Sequence, residues 1–142
     1  MKLLQILSEK LNKDYYVSLL VRDMDYEESE AKEVLNSIIN NVKSLPDPIK
    51  LYRIIRVDDK KDINLEKLGS HYAKNRKDLM NSHSFAEGVG DNSYIITVLA
   101  PKSLIDVKET IFNNVLYPHE NEVTLKNKGK GVEIVSIKKI KD

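Results

Sequence analysis

The chain has 142 residues, of which 41% are hydrophobic, and this combination fits one globular domain with a packed core. Its net charge is only +1, so the charge balance indicates neither a nucleic-acid partner nor a membrane partner. Cysteine is absent, which excludes disulfides, thiolate catalysis and cysteine-bound zinc.

The first residues of the chain are apolar, but Glu9 and Lys10 interrupt them before the core of a signal peptide is complete. We therefore predict a helix here, whose apolar stripe consists of Leu3, Leu4, Ile6, Leu7 and Leu11. No stretch approaches the length of a membrane span. These features lead us to expect a cytoplasmic protein that does not bind a membrane.

A second and a third helix are predicted next. Residues 15–21 predict the second, and Asp25 followed by Glu28 resembles a capping box with an aspartate in the cap position. Apolar residues at i, i+3, i+4, i+7, i+8 and i+11 then predict an amphipathic helix: Ala31, Val34, Leu35, Ile38, Ile39 and Val42. Pro46 and Pro48 end it.

After residue 49 the pattern favours strands. Residues 51–57 predict a strand that contains Arg53 and Arg56. Further elements are predicted in this order: a short helix over 75–80, a glycine-bearing loop over 86–92, an apolar strand over 94–100, a short strand over 104–107, a helix ending near residue 114, and two strands over 122–125 and 132–140 around a glycine turn. Helices followed by a mostly antiparallel sheet predict one α+β domain, with residues 1–45 as its helical part.

The most informative motif is Glu120-Asn121-Glu122, which Val123-Thr124-Leu125 follows at once. At the start of a strand, side chains at i and i+2 lie on one face, because strand side chains alternate. A pair of carboxylates is costly to bury in a core, so we expect it to contact solvent or a ligand. By itself, such a pair is most often a solvated surface feature in a chain with 32% charged residues.

Two polar segments precede this motif and give it context. Tyr52-Arg53 lies in the first predicted strand. Leu68-Gly69-Ser70-His71-Tyr72 lies between that strand and the E-x-E motif in the sequence. In this order the three segments resemble the mono-ADP-ribosyltransferase family, particularly its small bacterial and phage members. The resemblance covers residues 49–142. It implies a mostly antiparallel two-sheet core with NAD, the substrate, bound in the cleft between the sheets.

The resemblance also implies roles for the two carboxylates. Glu122 would be the catalytic residue, since a fixed carboxylate stabilises the oxocarbenium-like charge that forms on the ribose and holds the 2′-hydroxyl. Glu120 would orient or deprotonate the incoming nucleophile, and a carboxylate there resembles the arginine-modifying branch of the family.

The NAD contacts follow from the other two segments. Arg53 would hold the phosphates or ribose, a task that suits a planar and permanently charged group, and Tyr52 beside it is a further predicted NAD contact. His71 would bind a ribose or the carboxamide, and Tyr72 would stack on nicotinamide. The family's familiar middle motif is Ser-Thr-Ser, whereas this segment looks more like the glycine-x-histidine-aromatic form of some bacterial and phage relatives. Ser82-His83-Ser84-Phe85 is a competing candidate for the middle motif, although it fits better as the end of the following helix.

Each of these residues also has a simpler interpretation. Arg53 can be an outward-facing strand arginine, and His71 a structural histidine. The C-terminal lysines fit exposed turn and edge-strand positions, with a weak phosphate or nucleic-acid surface as the alternative: Lys126, Lys128, Lys130, Lys138, Lys139 and Lys141. Three histidines without an H-E-x-x-H motif give no metal signature, and Gly88-Val89-Gly90 lacks the context of a dinucleotide-binding turn.

The sequence thus predicts an enzyme that transfers ADP-ribose from NAD to a side chain of a target protein, arginine by the E-x-E pattern. If the gene belongs to a phage, we expect the enzyme to act in the host cytoplasm. Three alternatives stay open. The first is a catalytically silent binding module of the same fold, and the second is a weak nucleic-acid-binding protein, although the near-neutral charge argues against a nucleic-acid partner. The third keeps the chemistry but has a nucleic-acid base or water as the acceptor in place of a protein.

Overall fold

A computed structural model describes residues 12–81, 86–88, 91–117 and 121–140. It has four helices in these ranges: α1 (Lys13–Met24), α2 (Glu28–Lys43), α3 (Arg76–Asn81) and α4 (Val107–Leu116). It has six strands: β1 (Ile49–Val57), β2 (His71–Ala73), β3 (Ala86–Gly88), β4 (Asn92–Ala100), β5 (Glu122–Thr124) and β6 (Glu133–Lys139). The helix predicted over residues 3–11 lies outside the described residues.

All six strands belong to one sheet. Its main path runs β5-β2-β1-β4-β6 with antiparallel neighbours, while β3 pairs with β1 in parallel. The α+β class is therefore confirmed. The described strands form one sheet by hydrogen bonding, and the two-sheet core implied by the resemblance is not seen among them.

One edge of β1 is divided between two partners. Tyr52 pairs with Ala73 of β2, whereas residues 54–56 pair with β3. Strand β2 therefore leaves β1 immediately after the Tyr52 pair. The backbone opens between β1 and β2 beside Arg53, and this opening positions the site described below.

Helices α1, α2 and α4 pack on one face of the sheet and bury the main core. The buried side of α2 contains Ala31, Leu35, Ile39 and Val42, so its predicted stripe is confirmed. Alternate residues of β1, such as Ile49 and Leu51, face these helices because strand side chains alternate. A smaller cluster lies on the other face: Ile54, Ala73, Leu79 and Ile95, with Tyr52 packed against it.

The capping prediction at Asp25 is wrong. Asp25 ends α1 instead, with a left-handed φ of 59° and its N–H bonded to the carbonyl of Leu20. Glu27 is the residue that precedes α2. Aspartate tolerates the left-handed region better than most residues, so it fits the end of a helix as well as the start.

Two loop and strand predictions also differ from the structure. Residues 86–88, predicted as part of a glycine loop, form β3, because the C-terminal part of β1 offers a free edge to pair with. Residues 102–104 form a 3-10 turn and only Ile105 makes a bridge, to Leu125, so the strand predicted at 104–107 is wrong. Strands β5 and β6 lie at opposite edges of the sheet rather than side by side.

The length and polarity of the helices bear on membrane insertion. In the part of the chain that the structure describes, no helix is both long and apolar enough to cross a bilayer.

Candidate functional site

The three strands that carry the polar segments are neighbours in the sheet. β2 lies between β1 and β5, and Tyr52, Ala73 and Glu122 form one row across them. His71 is opposite Thr124 in the same pair of strands. Segments that are far apart in sequence therefore meet within two strand spacings, about 10 Å.

Glu122 is buried, and each of its carboxylate oxygens has a neighbour. Oε1 lies 3.1 Å from Nδ1 of His71, and Oε2 accepts a hydrogen bond of 3.2 Å from the hydroxyl of Thr124. The His71 contact is close enough for an ion pair, but the ring nitrogen is not aligned for a hydrogen bond. The His71 side chain is 42% exposed and that of Glu122 only 9%, so His71 forms the solvent side of the pair.

Arg53 is also buried, at 2% exposure, in the opening between β1 and β2. Its Nη1 donates to the backbone carbonyl of His71, and its guanidinium carbon lies 5.7 Å from the centre of the Tyr72 ring. A Cβ on Gly69 would overlap the guanidinium, and Gly69 has a φ of 117° that favours glycine. Arg53 thus holds the backbone of the middle segment.

Tyr72 is completely buried, so its ring face is covered by protein. Burial raises the pKa of Tyr72 to about 12, and the charge of Arg53 acts in the opposite direction. The hydroxyl packs against Gly129, where a Cβ would overlap it. Tyr52, one residue from Arg53, lies on the other face of β1 and is partly exposed. The structure therefore joins Arg53 to Tyr72 and places Tyr52 apart from them.

Helix α4 supplies polar groups to the outer edge of β5. The hydroxyl of Thr110 accepts from the N–H of Thr124 at 3.0 Å and donates to its carbonyl at 3.3 Å. The amide of Asn114 donates to the carbonyl of Glu122 at 2.8 Å. The amide of Asn113 donates to the Thr124 hydroxyl at 3.0 Å. The bonds of Thr110 and Asn114 to the β5 backbone replace those that another strand would make.

The direction of the hydrogen bonds around Thr124 is fixed by chemistry. A carboxylate only accepts, so the single hydroxyl proton of Thr124 is donated to Glu122. The Thr124 oxygen then accepts from Asn113. Sequence reasoning missed Thr110, Asn113 and Asn114. Their signal is a polar strip at a spacing of three and four residues on a helix that otherwise buries apolar residues.

Asn121, the central residue of the E-x-E motif, is held by residues of the segment that follows β2. It has a left-handed φ of 48°, its carbonyl accepts from the N–H of Lys74 at 3.3 Å, and its amide donates to Asp78 at 3.3 Å. Asn75 donates to the same Asp78 oxygen at 3.0 Å. Glu120, the first carboxylate of the motif, lies outside the described residues.

A surface cavity of about 80 Å³ lies beside β5, between α2 and α4. Its polar lining includes Asn41, Lys74, Asn114 and Asn121. Pockets that enclose small molecules usually measure about 300–1,000 Å³. This cavity is thus too small to enclose a dinucleotide.

Within the described ranges, no three His, Cys, Asp or Glu side chains are grouped as metal ligands. Comparisons with protein-family models, curated proteins and solved structures found no significant match to this chain.

Proposed function

We propose that this chain is an NAD-dependent mono-ADP-ribosyltransferase that modifies a side chain of a target protein. One observation carries the proposal: the strands of Arg53, His71 and Glu122 are adjacent, and contacts link the three residues in series. A buried carboxylate next to a half-exposed imidazole is a candidate functional pair, since carboxylates are seldom buried in proteins.

The proposed reaction uses Glu122 at the ribose of NAD. The bond between the nicotinamide nitrogen and C1′ breaks, and its electron pair leaves with nicotinamide, which becomes neutral. The ribose then carries oxocarbenium-like positive charge, which a preorganised carboxylate stabilises. Thr124 and Asn113 hold that carboxylate in one orientation through their hydrogen bonds.

The acceptor completes the reaction. Its lone pair forms the new bond to C1′, and its proton passes to a base, for which we propose Glu120. Arginine is the proposed acceptor, because the E-x-E pattern resembles the arginine-modifying branch.

Burial changes the roles that we propose for two of the predicted NAD contacts, Arg53 and Tyr72. Arg53 acts by bracing the backbone of His71, since its guanidinium is buried and occupied there. Tyr72 contacts the guanidinium of Arg53 through its ring, so we no longer propose that it stacks on nicotinamide. Tyr52 is in the row of Glu122 and His71 is in the row of Thr124, and both side chains keep exposed surface, so they are the proposed ligand contacts.

A second candidate is a catalytically silent domain that binds a partner without cleaving NAD. The burial of Arg53 and Tyr72 favours it, as does the small cavity, because both reduce the surface that an NAD molecule can contact. This candidate predicts that Glu122→Gln changes no function.

Labelled NAD and a bacterial cell lysate provide the test. The wild type, Glu122→Gln and Glu133→Gln are compared, the last as a control that removes an exposed carboxylate from β6. Labelled proteins are identified on gels and by mass spectrometry. We expect the wild type and the Glu133→Gln control to transfer label, with at least a hundredfold loss in Glu122→Gln.

The outcomes separate the two candidates. Transfer that persists in Glu122→Gln would contradict the catalytic role. A folded wild type that neither transfers label nor hydrolyses NAD would leave the silent module as the better account.

A further inference from the structure

The turn that follows β5 carries exposed positive charge next to the site. Lys126, Lys128 and Lys130 are all exposed, and residues 123–132 contain no carboxylate. Leu125 is extended, so the alternation of β5 continues to Lys126. Lys126 therefore leaves the backbone on the side of Glu122, about 13 Å further along the strand.

The backbone of this turn is in an uncommon conformation. Asn127 and Lys128 have φ values of 52° and 54°, and Gly129 follows at 76°. A long side chain is rarely found at positive φ unless its surroundings impose that conformation. Here the carbonyl of Lys128 accepts from the N–H of Gly69 at 3.0 Å. The turn is thus fixed to the middle segment of the site.

Because Arg53 is buried, another cationic group has to bind the diphosphate at the proposed site. An NAD molecule carries a diphosphate, and a protein that binds it supplies cations or N–H groups. Arg53 is 2% exposed and braces β2, so it cannot meet a diphosphate in this conformation. Lys126 offers an ammonium group on the same side of β5 as Glu122, and Lys128 is exposed two residues further along the turn.

We infer that Lys126 and Lys128 bind the diphosphate of the dinucleotide while Glu122 faces its ribose. This inference rests on the proposed function for the identity of the ligand. The backbone that carries the two lysines is already fixed, so binding of the diphosphate orders only their side chains. The same ammonium groups could attract a nucleic-acid backbone, and the experiment distinguishes that case.

The experiment measures binding of ADP-ribose to the full chain by calorimetry. ADP-ribose contains the diphosphate and has no nicotinamide bond to break, so the measurement does not depend on turnover. The test variant combines Lys126→Gln with Lys128→Asn, since asparagine tolerates positive φ. The control combines Lys138→Gln with Lys139→Gln, which removes the same charge from exposed positions on β6.

We expect the test variant to bind ADP-ribose about tenfold more weakly and the control to stay within twofold of the wild type. Adenosine, which lacks phosphate, should bind equally to all three. An equal loss of affinity in both lysine variants would overturn the inference, since the net charge of the protein, and not the position of the lysines, would then explain the loss. It would also be overturned if a single-stranded oligonucleotide bound more tightly than ADP-ribose and lost affinity in the test variant.

The same proteins separate this inference from the proposed function. If label transfer requires Glu122 but the affinity for ADP-ribose does not depend on the turn lysines, the inference is wrong and the proposed transferase activity is supported. If the lysines govern ADP-ribose affinity and no NAD is consumed, the inference stands and the transferase fails. A wild type that binds no ADP-ribose overturns the inference.

Discussion

The two outer strands of the sheet, β5 and β6, are protected in different ways. Polar side chains of α4 bond the backbone of β5, and the turn after β5 is fixed to the middle segment. On β6, Val135 is an extra residue opposite the pair Thr97–Val98, and Lys138 and Lys139 are exposed. A bulge and lysines are common means of preventing edge-to-edge pairing. The β5 edge is held in place, whereas the β6 edge is protected from pairing.

This difference indicates where precise geometry is needed. Holding an edge strand with a helix fixes the positions of its side chains, and Glu122 is one of them. A bulge protects a strand without fixing its side chains to the same degree. We therefore expect substitutions around β5 to cost more than matched substitutions around β6.

The largest effect is expected at Gly129. Alanine there would strain a φ of 76° and overlap the Tyr72 hydroxyl, so we predict a loss of about 3–4 kcal/mol in the free energy of unfolding. Gly131, on the way to β6, is a matched control. Its φ is 101°, but a Cβ would meet only Leu104 at 3.5 Å, so about 1–2 kcal/mol is expected. Denaturant unfolding measures the stability of both variants. Equal losses would contradict the expectation that the region around β5 tolerates substitution less well than the region around β6.

A second prediction concerns the pH dependence of stability at Tyr72. Its pKa is about 12 in the folded state and about 10 when unfolded, so the stability present below pH 10 is lost as pH rises from 10 to 12. Two pH units correspond to about 2–3 kcal/mol. Tyr72→Phe should lack this decline and lose little at pH 7, because the buried hydroxyl has no hydrogen-bond partner among the described residues. Parallel decline of both proteins with pH would contradict the assignment.

The smallest effect is expected at Thr124 and is kinetic. Thr124→Val should lower kcat for NAD consumption about tenfold, or about 1.4 kcal/mol, since Glu122 loses the hydroxyl that orients it. Thr124→Ser retains that hydroxyl and should stay within threefold of the wild type. Ser136→Ala, on β6, is the control and should leave kcat unchanged. An increase in KM at constant kcat would argue against a role through Glu122.

Elements with a clear hydrophobic period were predictable from the sequence. The stripe of α2 and the apolar run of β4 are examples, since each is set by residues close together in the chain. Asp25 was assigned to the wrong helix end, because an aspartate fits both a cap at the start and a left-handed residue at the end. Strand β3 was missed because three residues have no period of their own, and pairing with β1 stabilises them.

The candidate site was predictable only as a set of segments. The order of the Arg53, His71 and Glu122 segments indicated that they belong together, and the sheet places their strands side by side. The roles within the set were not predictable. The guanidinium of Arg53 bonds a carbonyl 18 residues away, and its burial also depends on Gly69.

The sequence by itself determined an α+β chain, the buried face of α2, the strands β1 and β4, and a strand that begins at an E-x-E motif. These features follow from local periodicity and turn chemistry, which act over a few residues. The tertiary structure decided that Arg53 and Tyr72 are buried, that Thr124 and Asn113 hold Glu122, and that the lysine turn lies against the middle segment. These outcomes depend on distant segments that compete for the same space and the same hydrogen-bond partners, which no local pattern records.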